Sequence, residues 1–272
     1  MKKIIIPFEG DFFSEGAFVF GKMLAQHESI LLAGIFLPKV DYARFFFFPS
    51  AFAAPAYIPV HEDFDEDAVK NTISSFTNRC EKSGISYSVH KDLHGSAISQ
   101  LNKETRFADL MIIGSETFYT VGSGGPLEYL KDALRNTECP VVIVPENFNL
   151  PSQIILEYDG STASVYAIKQ FINLFPQLCV LPATVVYAGD EKNPIPEETL
   201  IREFLSCHFA NLSVRRLTNE GKKDFYSWLE EEKSPLLVSG SFSRSAVSEF
   251  FNKGFVVDAI RQHKTPIFIA HQ

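Results

Sequence analysis

The sequence is short of cysteine, of tryptophan and of positive charge, and it lacks any apolar run long enough to cross a bilayer. Its four cysteines (Cys80, Cys139, Cys179, Cys207) are scattered and form no CxxC pair. That spacing excludes a zinc ribbon and a dense disulfide framework, and it fits reduced thiols in a cytoplasmic protein. Acidic residues outnumber basic ones by 33 to 25, a formal charge of −8. A general nucleic-acid binder needs a basic face, so that class is set aside. No uninterrupted apolar stretch reaches the length of a membrane span. The opening MKKIIIPFEGDFF starts as a signal peptide would, but Glu9 and Asp11 break its apolar core, so export is not expected. Catalytic signatures are missing too: there is no GxSxG elbow, GxxxxGK[ST] loop or HExxH helix. No catalytic residue is therefore assigned.

What the chain has is apolar content and repetition. Of its 272 residues 46% are hydrophobic and only 21% charged, enough to fill a core in one large or two ordinary domains. IIIPFEGD at 4–11 returns as IILEYDGS at 154–161, an offset of 150. LMIIGS (110–115) returns as LLVSGS (236–241), and CPVVIVP (139–145) as TPIFIAH (265–271), both at an offset of 126. Two pairs sharing one offset identify a repeat whose second copy lost about two dozen residues between its first and fourth strands. The segment 40–59 of the first half carries the excess.

Within each half, short Ile/Val/Leu-rich runs alternate with amphipathic stretches. Strands are expected near 3–8, 30–37, 85–90, 109–113 and 140–144, then near 153–158, 179–187, 212–217, 235–239 and 266–270. Helices are expected near 13–27, 64–83, 96–106 and 126–137, then near 162–174, 196–209, 221–232 and 246–262. Such alternation predicts two α/β domains, each a parallel sheet covered on both faces. The domains run 1–147 and 152–272, joined by the linker-like PENFNLPS (145–152). The closing strands at 140–144 and 266–270 read as sheet edges, which invite pairing.

The strand ending in EYDGS, the late ADLMIIGS, the closing NTECPVVIVP and the turn HGSAISQL resemble the universal stress protein family in its tandem two-domain form. The resemblance covers nearly the whole chain. It implies two doubly wound parallel sheets of strand order 3-2-1-4-5, of the adenine nucleotide alpha hydrolase-like type. It also implies a pseudo-dimer of the two domains, with room for a homodimer, and a role in stress responses. Some members bind ATP and others do not.

In that strand order the topological switch point lies between first and fourth strands, beyond their carboxyl ends, where open α/β sheets hold ligands. The converging residues are Glu9, Gly10 and Asp11 with Gly114 and Ser115 in the first half. In the second half they are Asp159, Gly160 and Ser161 with Gly240 and Ser241. ATP-binding members carry Gly, two residues, Gly, nine residues, then Gly and Ser or Thr, so that main chain can approach the phosphates at a helix start. In the first half that frame starts at Gly114 and then meets Thr117, Leu127 and Glu128. A carboxylate at a helix start satisfies its N–H groups and repels phosphate, so this loop is expected not to bind ATP in the family manner. In the second half Ser243 and Lys253 stand at the next glycine positions and Gly254 follows one place late. Ser241, Ser243, Arg244 and Lys253 nevertheless offer hydroxyls and positive charge, which makes this the better candidate for ATP or another adenine nucleotide. The competing reading makes these serines helix caps and Arg244 a solvated surface residue.

RFFFFPSAFAAPAYIP (44–59) has the most unusual composition in the chain. It is read as a loop, either folded onto its own domain, laid as a flap over the first-half site, or forming a protein contact through Phe45–Pro59. A buried or interface role is favoured for Phe45–Phe48. His90, Asp92 and His94 raise a metal site, but zinc spacings are absent and no metal is predicted. The resulting expectation is a binding or signalling module without turnover. The alternative is an adenine-nucleotide binder, or a slow ATPase, using the second-half loop.

Overall fold

The computed structural model describes residues 1–37, 40–48, 56–61, 66–91, 97–116, 133–134, 136–188, 194–217, 225, 228–240 and 264–270. These residues form two compact units, Met1–Glu138 and Cys139–Gln272.

In the first unit, runs of branched residues give β1 (Lys2–Glu9) and β2 (Ile30–Leu37), whose inner positions are buried on both faces. Burial of that kind requires helices on each side. They are α1 (Glu15–Ala25), α2 (Glu66–Ser83) and α3 (Ala97–Thr105). With β5 (Ser86–Lys91) and β6 (Leu110–Gly114), the strands lie in the order β5-β2-β1-β6, all parallel. Counted without the insertion after β2, that order is 3-2-1-4.

The insertion is not the irregular loop expected. It forms β3 (Val40–Phe48) and β4 (Ala56–His61), an antiparallel pair separate from the main sheet. Aromatic and β-branched residues favour extended chain. Pro59 falls inside a register shift between the Asp41↔Val60 and Phe46↔Ile58 pairs, where no ladder bond needs its missing N–H.

The second unit opens with β7 (Val141–Val144) and β8 (Gln153–Glu157). Helix α4 (Thr162–Leu174), β9 (Ala183–Ala188), α5 (Glu198–Ser206), β10 (Leu212–Leu217), β11 (Pro235–Ser239) and β12 (Ile267–Ile269) follow. Its parallel strands lie in the order β10-β9-β8-β11-β12, which is 3-2-1-4-5. The closing strands are not free edges: β7 and β12 pair with each other, antiparallel. The pairs are Val141↔Ile269, Val142↔Phe268 and Ile143↔Ile267. Since repeat equivalents differ by 126, the central pair joins equivalent positions and the outer two exchange them.

The first unit's core is aromatic. Phe8 stacks on Phe13 and on Phe36, both with centroids 5.1 Å apart, and the edge of Phe76 closes on Phe8 at 5.6 Å and Phe36 at 6.0 Å. Gly34 makes room for this group, because a Cβ there would stand 2.8 Å from the Phe36 ring and 3.0 Å from that of Phe76. Arg79 lies over the Phe13 ring at 4.6 Å and pairs with Glu15, tying α2 to α1. Phe76 is fully buried at the centre of this group. Phe76→Ala is expected to cost about 3–5 kcal/mol, read as a lower urea midpoint at unchanged slope. A loss below about 1 kcal/mol would show that the stack is not a core.

Candidate functional site

The second unit places Asp159, Gly160, Ser161 and Gly240 together at the carboxyl ends of β8 and β11. Strand β8 is followed by Tyr158, whose ring is buried and whose hydroxyl donates to the Pro196 carbonyl at 2.9 Å. The chain then turns through Gly160 at φ +82, a conformation that favours glycine. A Cβ on Gly160 would also stand 2.6 Å from Pro196 Cβ, so the segment before α5 lies directly on this turn.

The turn satisfies its own polar groups. Asp159 Oδ1 accepts from the Ser161 N–H at 2.8 Å, and Ser161 Oγ caps α4 by accepting from the Ser164 N–H at 3.1 Å. Ser164 Oγ donates back to the Ser161 carbonyl at 2.9 Å. Burial pushes the Asp159 carboxyl up, but hydrogen bonds from Ser161 and Ser164 outweigh it and hold it below its ordinary value. The acidic-Gly-Ser signature thus works as a turn and helix cap, its N–H groups at Ser161 and Ser164 already taken.

Gly240 meets main chain. A Cβ there would lie 2.1 Å from the Ala163 carbonyl oxygen and 2.6 Å from Ser164 Cα. The first turn of α4 is therefore seated against the end of β11. Beside it the buried Ser239 hydroxyl donates to the Glu157 carboxylate. Of the other candidates, Ser241, Ser243, Arg244, Lys253 and Gly254 lie outside the described residues.

In the first unit, Gly10 takes φ +58 and its N–H donates to the Leu37 carbonyl at 3.1 Å. Glu9 is buried, and the Thr72 hydroxyl lies within hydrogen-bond reach of both the Asp11 and Ala68 carbonyls. The helix cap here is Ser14, which accepts from the Ala17 N–H at 3.3 Å. Ser14 is the repeat equivalent of Ser164, so α1 begins three residues later than α4. Gly114 ends β6, and buried Ser115 donates to Glu116 at 2.6 Å. Thr117, Leu127 and Glu128 lie outside the described residues, as do Asp92 and His94. His90 Nδ1 contacts Glu104 at 2.8 Å, and Lys3 approaches the same carboxylate at 3.5 Å.

Three site features escaped the sequence reading: the Pro196 cover on Gly160, the Tyr158 anchor and the Ser239–Glu157 pair. Glu157 was open to notice, since it replaces Pro7 of the first repeat inside an otherwise apolar strand.

No family model matches the chain, and no curated protein matches its sequence. Solved structures do match in fold. A universal stress protein from Archaeoglobus fulgidus DSM 4304 superposes with a TM-score of 0.61 at 13% identity, covering 98% of this chain and 96% of that one. A functionally unknown protein from Pseudomonas aeruginosa PAO1 gives 0.58 at 12% identity, covering 100% and 92%. A protein of P. aeruginosa UCBPP-PA14, provisionally called a universal stress protein, gives 0.56 at 13%, covering 100% and 93%. The chain has the fold of the universal stress proteins along its whole length.

Two outcomes test the site. Gly240→Ala is expected to destabilise the protein by about 3 kcal/mol, because main chain cannot rotate away as a side chain can. Thermal unfolding in buffer without ligand reads this, and an unchanged melting temperature would refute the contact. Asp159→Asn is expected to destabilise at pH 7. A depressed carboxyl stabilises above its ordinary value of 3.8 and loses that contribution as pH falls through the lower folded-state value. Urea midpoints of the two proteins should therefore converge below pH 3.8, and a gap that stays constant into acid would contradict it.

Proposed function

We propose that this chain is a universal stress protein-like binding and signalling module that works without the family's ATP site. The observation that carries this reading is the seat of the α4 first turn on Gly240. It gives that glycine a packing role against main chain, which accounts for its presence without a phosphate. In the first half, Leu127 and Glu128 stand where the phosphate motif needs Gly and Ser or Thr. Likeness in fold to universal stress proteins supports the stress-response setting. Under this reading the protein is cytoplasmic and acts through protein contacts, as a pseudo-dimer of its two domains, with the Phe45–Pro59 segment as the contact surface for a partner or a second copy. No described helix is long and apolar enough to cross a membrane.

The second reading, an adenine-nucleotide binder or slow ATPase, draws on Ser241, Ser243, Arg244 and Lys253. Mass spectrometry of small molecules released from the purified protein, followed by calorimetric titration with ATP, separates the two. The expected result is no released nucleotide and no saturable binding at micromolar ATP. Micromolar binding that Arg244→Ala or Lys253→Ala weakens at unchanged melting temperature would establish the second reading. Gly240 variants cannot decide the matter, since their folding defect would mimic lost binding.

A further inference from the structure

Strands β11 and β12 border a cavity at their amino ends, away from the carboxyl end where Gly240 follows β11. It measures about 170 Å³, below the ~300–1,000 Å³ of sites that take drug-sized ligands. Several waters fit in such a space, so it suits a small metabolite and not a nucleotide. Buried Leu229, Pro235 and Pro266 give the cavity an apolar side. Glu230, Glu232 and Lys264 give it charge, and Ser234 and Thr265 add hydroxyls. The wall is fixed from the start of β8. Ser152 donates through Oγ to the Lys233 carbonyl at 2.7 Å and through its N–H to the Ser234 carbonyl at 2.9 Å. A wall already in place spares a ligand the cost of ordering it.

The charges in this lining do not balance. Lys264 Nζ lies 3.1 Å from Glu230 Oε1, so those two compensate each other. Glu232 is half-buried, and its Oε2 accepts from Gln153 Nε2, a neutral amide, at 2.9 Å. Among the described residues no cation pairs with it. Two carboxylates against one ammonium leave one negative charge for a ligand to meet, and a nearby positive charge favours a carboxylate drawn away from water. A divalent cation is a poor match, since calcium takes about six to eight oxygen ligands. Nor does any group of three or more His, Cys, Asp or Glu among the described residues make a metal site. The Ser234 and Thr265 hydroxyls make no hydrogen bond to a described residue, which leaves both free to accept an N–H.

We propose that this cavity binds a small aliphatic monoamine, with Glu232 holding the ammonium group and Leu229, Pro235 and Pro266 the carbon chain. The site stands apart from the switch point. ATP binding there would sink the reading of the chain as a module without a nucleotide site and would leave the amine measurement unaffected.

Titration of the full chain with n-butylamine at pH 7, followed by amide chemical shifts, tests it. Saturable shifts are expected at Glu232, Ser234 and Thr265, with a dissociation constant in the millimolar range. n-Butanol, close in size but uncharged, should bind at least about tenfold more weakly. That comparison uses the parent protein and does not depend on how a variant folds. Glu232→Gln should raise the dissociation constant for the amine at least about tenfold, because it keeps an acceptor for Gln153 and loses only the charge. Glu231→Gln, on an exposed neighbour outside the lining, should keep it within about twofold, since solvent screens an exposed charge. Shifts that do not saturate, or that n-butanol reproduces, overturn the proposal. So does a Glu232→Gln protein that binds the amine as the parent does, or a Glu231→Gln protein that loses as much.

Discussion

A parallel strand buried on both faces has to end its ladder in a turn that satisfies its own polar groups before the next helix can begin. In the second unit that constraint is met by Asp159 accepting from Ser161 and by Ser161 accepting from Ser164. Everything near the switch point follows from it. The cap fixes where α4 starts, the start brings the Ala163 carbonyl against Gly240, and Gly160 lets Pro196 lie flat on the turn. The acidic-Gly-Ser signature has a structural duty of its own, as a turn and as the cap of α4.

The first unit meets the same constraint differently. Its turn carries Asp11 where the other has Ser161, and the cap moves to Ser14. Beyond β1 stands Phe13, whose ring stacks on Phe8, itself stacked on Phe36. Two copies of one supersecondary plan have thus become a polar, self-capped turn in one half and an extension of the hydrophobic core in the other.

Much of this was legible from residues. Alternating apolar runs located the described strands outside the insertion within a few positions, because strands buried on both faces leave a near-continuous Ile/Val/Leu record. The hairpin was not legible: a Phe run flanked by prolines reads as a loop, and only the register shift explains how Pro59 fits inside a strand. The meaning of Gly240 was hidden for another reason. A glycine announces that something comes close, and a sequence does not say whether that neighbour is a phosphate or the carbonyl of the next helix. Glu157 reached the site through strand neighbours about 80 residues apart, a relation no local pattern encodes.

The pairing of Val142 with Phe268, equivalent positions of the two repeats, has a consequence for how this seam can change over generations. Between separate identical copies, any substitution at the axis appears on both sides at once, so a bulky residue must meet itself. Joined in one chain, the two sides mutate independently. Here one carries Val142 while the other carries Phe268, whose ring packs on Phe171 and Phe175 at 5.5 and 5.6 Å. Within one chain, a large residue can stand on one side of the pairing without standing on the other.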